Sequence, residues 1–320
     1  MKKRTAHQTW LKYIVLVVLG CIVIIPIYYL LVTTFKTPAE ATASPMGLPS
    51  HFSFSGYKEA FEKMQFPRAF FNTFIITACS VIGIIITSSM LGYVLHRKRE
   101  LKISKIVFVL ILSGMLFPYQ MSILGLYKLI RSLGLMNHLA SVIFINIACN
   151  IPFATFMFRS FVATIPEELE EAAKIDGAGT FRIFWKITFP LLKPIVATVT
   201  ILNSLTIWND FMGPLYFLQV REKDVLLQEI YRNIGQFSTD WTSLFQMLVL
   251  GALPLLIFYL LWVIVYIGNK YLHMELGKAM SLSGMCVALS AALVYDKKTV
   301  VLSILGTYFN GIVLDHFIFD

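Results

Sequence analysis

Six apolar stretches punctuate the chain, separated by segments rich in proline, glycine or charge. They run over about Tyr13 to Val32, Ala69 to Leu95, Ile103 to Leu126, Leu139 to Phe158, Ile195 to Ile207 and Ser243 to Ile267. A helix needs ~20 apolar residues to cross a bilayer's hydrocarbon core. Most of the stretches approach that length, whereas the fifth reaches it only when Pro190 to Phe217 is taken whole. The pattern therefore predicts an all-α, polytopic transmembrane bundle with six core spans. Between the first two spans, Pro38, Pro45, Pro49 and Pro67 predict an exposed loop carrying short helical pieces such as "GYKEAFEKM", Gly56 to Met64. In "WNDFMGPLYFL", Trp208 to Leu218, the aromatics suit a membrane-interface belt, and Gly213-Pro214 predicts an interruption of any helix.

One polar stretch departs from this alternation. "EELEEAAKIDGAGTFRIFWKITFPLLKP", Glu167 to Pro194, is a charged, helix-favouring island between two apolar runs. Thr164 and Glu167 have the spacing of a capping box, with Pro166 tolerated in a first turn, so a helix should start here. The acidic cluster Glu167, Glu168, Glu170 and Glu171 lies toward the positive end of the helix dipole. Gly177 supplies a natural stop just after Asp176. Ile165, Leu169, Ala172, Ala173 and Ile175 are spaced so that several fall on one small helical face, where the adjacent alanines let a partner approach closely, the pattern of a short helix laid into a groove. An interfacial helix on anionic lipid would need a basic polar face, and this one is acidic. A second helical piece, "TFRIFWKITF", leads to Pro190, where the next span begins.

Composition agrees with a membrane protein: 57% of residues are hydrophobic and 14% charged, with a positive mean hydropathy. The net charge of +9 is dispersed at the edges of the apolar runs, so bilayer orientation accounts for it and nucleic-acid binding is not expected. Lys2, Lys3 and Arg4 precede the first run, while the triplet Ala41-Thr42-Ala43 lies too far beyond it for a signal-peptide cleavage site, so an uncleaved anchor is expected. Placing the N-terminus inside puts most Lys and Arg on the inner segments, with "HRKRE" at His96 to Glu100 the sharpest instance; the island is then cytoplasmic. The cysteines Cys21, Cys79, Cys149 and Cys286 are far apart and read as small buried residues, not as a metal or disulfide framework.

The missing motifs narrow the function further. No GxxxxGK[ST] occurs, so ATP cannot be cradled by a P-loop of this chain, and neither HExxH nor GxSxG appears. A gradient-driven secondary transporter is the alternative, and it would place ionisable groups in mid-membrane with repeat symmetry. The spans instead hold hydroxyls and amides such as Thr87, Ser88, Ser89, Asn146, Asn150 and Asn203. These amides are expected to bind neighbouring helices. Together with Trp208, Asn209 and Asp210, read as an outer-edge group, Asn146, Asn150 and Asn203 make the candidate substrate pathway.

Glu171-Ala172-Ala173, then Gly177, Ile187 and Pro190 at their spacings, resemble the EAA loop of permease subunits of binding-protein-dependent ABC importers, with Phe189 where leucine is usual. "NTFIIT" at Asn72, "PEELEEAAKIDGAG" at Pro166 and "WNDFMGPL" at Trp208 extend the resemblance to the maltose-type, carbohydrate uptake 1 permeases over about residues 8 to 280. The resemblance implies a permease domain over 1–280 in a bacterial inner (cytoplasmic) membrane, passing a sugar or oligosaccharide inward. It also implies a coupling helix within about 164–190, seated in a cleft of an ATPase. There Glu171 would make polar contacts, Ala172 and Ala173 would permit close seating, and Gly177 would give the turn; Asp176, Ile187 and Pro190 complete the coupling set. The implied partners are an ABC ATPase dimer, a second homologous permease, an extracytoplasmic solute-binding protein and membrane lipid. ATP and Mg would be used by the ATPase, with no cofactor on this chain and no enzyme activity of its own.

Residues 281–320 do not fit the pattern. An apolar run at Gly284 to Tyr295, a break at Asp296-Lys297-Lys298 and a second run from Thr299 to Phe319 form an atypical tail. The tail bears a short resemblance to the YitT-type bacterial membrane family, and no transport role is expected of it. If its second run spans, the C-terminus lies outside.

Overall fold

A computed structural model describes residues 6–234 and 240–270 of the 320. The tail expectations for 281–320, including Cys286, lie outside the described residues. Among those described, all regular structure is helical. The described residues divide into two compact units, one within residues 6–66 and 230–270 and the other over residues 67–229.

The first unit holds α1 (Ala6–Thr33), α2 (Pro38–Ala43), α3 (Ser55–Lys63) and α14 (Trp241–Lys270). Its loop is ordered by local chemistry. Thr37 caps α2 by accepting from the Glu40 N–H, with Pro38 at the first helical position. The Lys36 ammonium is buried and donates to the carbonyls of Ser44 and Pro45 at 2.8 and 3.0 Å, closing the loop behind it. Phe35 packs among Phe52, Phe54 and Tyr57. The Gln246 amide on α14 donates to Thr34 O at 2.7 Å, which ties the end of α1 to that span. The expected helix in "GYKEAFEKM" is α3.

The second unit contains α4 (Phe66–Arg97, all but its first residue), α5 (Lys102–Ser113), α6 (Tyr119–Ser132), α7 (Leu139–Val162), α8 (Glu168–Ile175), α9 (Thr180–Ile183), α10 (Phe189–Leu191), α11 (Lys193–Trp208) and α12 (Met212–Phe217). The last helix in chain order before α14, α13 (Leu226–Arg232), begins in this unit. Ile84, Val142, Ala154, Phe158, Val162, Phe184, Leu192, Val199 and Phe217 form its buried core. Gly92 is where α4 and α7 come closest: a Cβ there would sit 2.8 Å from the backbone nitrogen of Arg159 and 2.9 Å from Cβ of Phe158. Only the missing side chain allows the two backbones this approach.

Helices α1, α4, α7 and α14 are each long and apolar enough to cross a membrane, and the third and fifth expected spans are bent pairs. Residues 102–116 and 119–132 meet at 102°, and residues 180–191 and 193–208 at 75°. Counting each pair as one span gives six. Prolines explain both breaks: Pro118 follows a short 3-10 turn, Gly114–Leu116, and Pro190 and Pro194 bracket the second bend. A π-turn, Phe184–Thr188, precedes Pro190. Gly213-Pro214, expected to interrupt a helix, instead lies in the first turn of α12, where a missing N–H costs nothing.

Three of the expected buried cysteines, Cys21, Cys79 and Cys149, are exposed on the protein surface. All three sit on candidate spans, where an apolar side chain need not be buried against this chain's own helices. Burial within this chain was the wrong expectation for a residue on a candidate span.

Candidate functional site

The charged island folds as α8 followed by α9, the π-turn and α10. Its start differs from the expected capping box. Thr164 Oγ1 donates back to Phe161 O at 2.7 Å, and the N-cap residue Glu167 makes no side-chain cap. The Glu167 carboxylate goes outward to Arg99 at 2.8 Å and Arg97 at 3.5 Å. The Arg99 guanidinium holds the Glu167 carboxyl below its usual range, and Glu167 in turn raises Arg99. An acidic first turn, Glu168, Glu170 and Glu171, remains to favour the helix N-terminus.

The stop is the expected one. Asp176 is the C-cap residue and Gly177 has φ +79°. Gly177 N–H donates to Lys174 O at 3.0 Å and Ala178 N–H to Ala173 O at 2.9 Å, the paired bonds of a Schellman motif. A Cβ at Gly177 would meet open space, so backbone conformation alone demands glycine here.

The two faces of α8 do different things. Leu169 and Ile175, 46% and 87% exposed, share the outer side with Glu171, Ala172 and Asp176. Ala173, expected beside Ala172 at a partner surface, instead faces inward and is buried with Glu170. Its small side chain serves seating against this chain's own helices. Glu170 is 3% exposed, and its carboxylate accepts from Arg97 Nε and Nη2 at 3.0 and 2.9 Å, Thr188 Oγ1 at 3.0 Å and Tyr93 OH at 2.8 Å. Removing one partner of such a buried ion pair costs about 3–5 kcal/mol. Beside the N-terminal half of α8 lies a recess of about 720 Å³, lined by His96, Arg97, Arg99, Ala163, residues 164–168 and Glu171. Ile187 is half-buried in the π-turn and Pro190 is exposed after it.

The pathway candidates are dispersed along α7, α11 and the turn after it. Asn146, Asn150, Asn203 and Asn209 each donate to the carbonyl four residues back on their own helix. Of the three expected to bind neighbouring helices, Asn150 and Asn203 bond locally instead, because an amide on a helix in an apolar setting finds its own i−4 carbonyl first. Asn146 also reaches Asp210 Oδ2 at 3.4 Å, which joins α7 to the turn. Asp210 Oδ1 accepts from Gly213 N–H at 3.1 Å in the first turn of α12. Trp208 is buried, with Phe70 of α4 at 6.0 Å between ring centroids. Among the described residues, no group of three or more His, Cys, Asp or Glu side chains is placed to hold a metal ion.

Residues 85–278, which contain the whole of the island, match the family described as the binding-protein-dependent transport system inner membrane component. The chain belongs to that family. The melibiose/raffinose/stachyose import permease protein MelC of Bacillus subtilis is 36% identical over 80% of this chain and 94% of its own length. The diacetylchitobiose uptake system permease protein NgcG of Streptomyces coelicolor is 31% identical over 78% of this chain and 83% of its own. In fold, a crystal structure of a bacterial ABC transporter involved in the import of the acidic polysaccharide alginate matches 85% of this chain and 99% of its own, with TM-score 0.71 at 24% identity. This protein is thus a multi-pass transport permease.

Two features of the permease escaped the sequence reading. Glu170 looked like one of several solvated glutamates, because its partners Tyr93 and Arg97 are more than seventy positions away. No local signal marked it, because Glu170 and Ala173 lie little more than a quarter turn around the helix from Leu169 and Ala172. The second is a fully buried carboxylate, Glu229, paired with Arg68 at the start of α4 and with Arg221 at 3.0 Å. Around it, Asn72 Nδ2 donates to the carbonyls of Glu222 and Asp224, both at 3.0 Å, and Thr73 Oγ1 accepts from Leu226 N–H at 3.0 Å. The first two residues of "NTFIIT" are therefore stitches that hold the 222–226 segment onto α4.

Proposed function

We propose that this permease passes a sugar or oligosaccharide from an extracytoplasmic binding protein into the cytoplasm, driven by ATP hydrolysis in a separate ATPase dimer. The observation that carries the reading is α8: a short helix anchored on one face and presenting Leu169, Glu171, Ala172 and Ile175 on the other. Such a face fits a groove of a cytosolic partner. The sugar class is supported by relatives named for melibiose, raffinose, stachyose and diacetylchitobiose. Residues 1–280 form the permease, with a coupling loop at about 164–190 in which Glu171, Ala172, Asp176, Gly177, Ile187 and Pro190 meet or shape the ATPase contact. The N-terminus is cytoplasmic, a second permease completes the pathway, and ATP and Mg belong to the ATPase. Asn146, Asn150, Asn203, Trp208, Asn209 and Asp210 remain pathway candidates, with Asn146 and Asp210 the pair brought into contact. No transport role is assigned to the tail at 281–320.

Co-purification with the ATPase tests this. Wild-type permease in detergent should retain the ATPase, and Gly177→Asp or Glu171→Lys should weaken association or uncouple hydrolysis. No association even with the partner permease present would overturn the importer reading and direct attention to gradient-driven transport.

A further inference from the structure

A docking helix free to swing on its connections would deliver no displacement to the spans. In this permease α8 is not free. Its inward carboxylate, Glu170, is gripped from two other elements: Arg97 and Tyr93 on the last turns of α4, and Thr188 in the π-turn. Arg97 Nη2 also donates to Ile165 O at 3.1 Å, which fixes the stretch leading into α8. Being 3% exposed and on the face opposite Ile175, Glu170 is unavailable to any partner docked on the outer face.

We propose that Glu170 is the positioning residue that transmits movement of α8 into the membrane, through Arg97 and Tyr93 to α4 and through Thr188 to the segment that continues into α11. The proposal rests on the reading of α8 as the ATPase-docking helix. Charge-assisted bonds shielded from water are short and directional, so the junction resists slipping when α8 is pushed. At the same level Gly92 brings α4 into backbone contact with α7 at Arg159, so a load entering α4 is shared by a second span. The π-turn carrying Thr188 is followed directly by the 75° bend into α11, giving the other branch a place to flex.

Hydrogen–deuterium exchange on the complex of this permease with its ATPase and partner permease, before and after trapping with Mg·ATP and vanadate, tests the proposal. In wild type, trapping should change exchange both in α8 and in residues 93–97 of α4. In Glu170→Gln the ATPase should co-purify as before and the change in α8 should persist. The change in α4 should shrink about tenfold, the factor expected when a charge-assisted bond that populates the locked arrangement is lost. Tyr93→Phe keeps the ring against Phe184 and removes one bond, so it should give an intermediate loss and carries the test should Glu170→Gln fail to fold. Glu170→Asp, which keeps the charge, should restore part of the signal. An unchanged α4 response in Glu170→Gln, or a wild type in which α8 responds and α4 does not, overturns the transmission role. Failure of wild type to retain the ATPase overturns the docking reading itself, and the transmission role with it.

Discussion

Helix α4 carries a buried glutamate clasp at each end, and the two are built differently. Arg68 and Arg97 are roughly 44 Å apart along the helix axis by its rise per residue, close to the ~40–45 Å of a bilayer with its headgroups. At one end Glu229 lies between two guanidiniums, Arg68 and Arg221, with neutral stitches from Asn72 and Thr73 alongside. At the other, Glu170 has one guanidinium, Arg97, and two hydroxyls from different elements. A second cation makes the first clasp tolerant of losing one arm. The other has no spare charge, so each of its arms matters, as suits a joint that passes load and not one that only closes a loop.

The largest expected effect is at Arg97. Arg97→Met leaves Glu170 buried without its cation and should destabilise the purified permease by about 3–5 kcal/mol, read as a fall in detergent melting temperature. Next comes Asn72→Leu at the opposite clasp, where two carbonyls lose their donor, for about 1–3 kcal/mol in the same assay. Arg221→Met should cost far less, about 0–1 kcal/mol, since Arg221 is half-exposed and Arg68 still faces Glu229. Equal melting losses for Arg97→Met and Arg221→Met would break the comparison. Smallest is the solvent-facing pair of Glu167 and Arg99. Because the Glu167 carboxyl is depressed in the folded protein, its contribution is present above the ordinary carboxylate range and is lost as pH falls through the lowered value. Melting curves of wild type and Arg99→Ala should therefore coincide at acid pH and separate slightly at neutral pH, the gap closing in high salt.

The sequence disclosed those parts of the permease that are local. Apolar runs mark spans because hydrocarbon demands about twenty residues whatever lies beside them. Gly177 marks a helix end because only glycine enters that backbone region cheaply. The direction of Glu170 and the pairing of Glu229 depend on contacts across more than seventy and more than a hundred positions, which no local pattern encodes. Between these extremes fall the two bends. Pro118, Pro190 and Pro194 were in plain view, yet hydropathy averages over them and draws a continuous span. Trp208 and the amides Asn146, Asn150 and Asn203 illustrate the same limit. Residue type marked them as polar or aromatic in an apolar setting, whereas their bonding was decided by which helix turn or ring happened to be nearest.

Biogenesis inherits a difficulty from the corner between α5 and α6. The peptide groups around Phe117 and Pro118 leave regular helix there, and Leu116, Phe117 and Met121 stand 80%, 71% and 76% exposed. Hydrocarbon supplies no water to satisfy a backbone laid open in this way. On the proposed pairing with a second permease, a copy inserted ahead of that partner holds this corner uncovered and is expected to be short-lived until the partner arrives. Cellular abundance of this protein should then follow the supply of the proposed partner permease more closely than its own rate of synthesis.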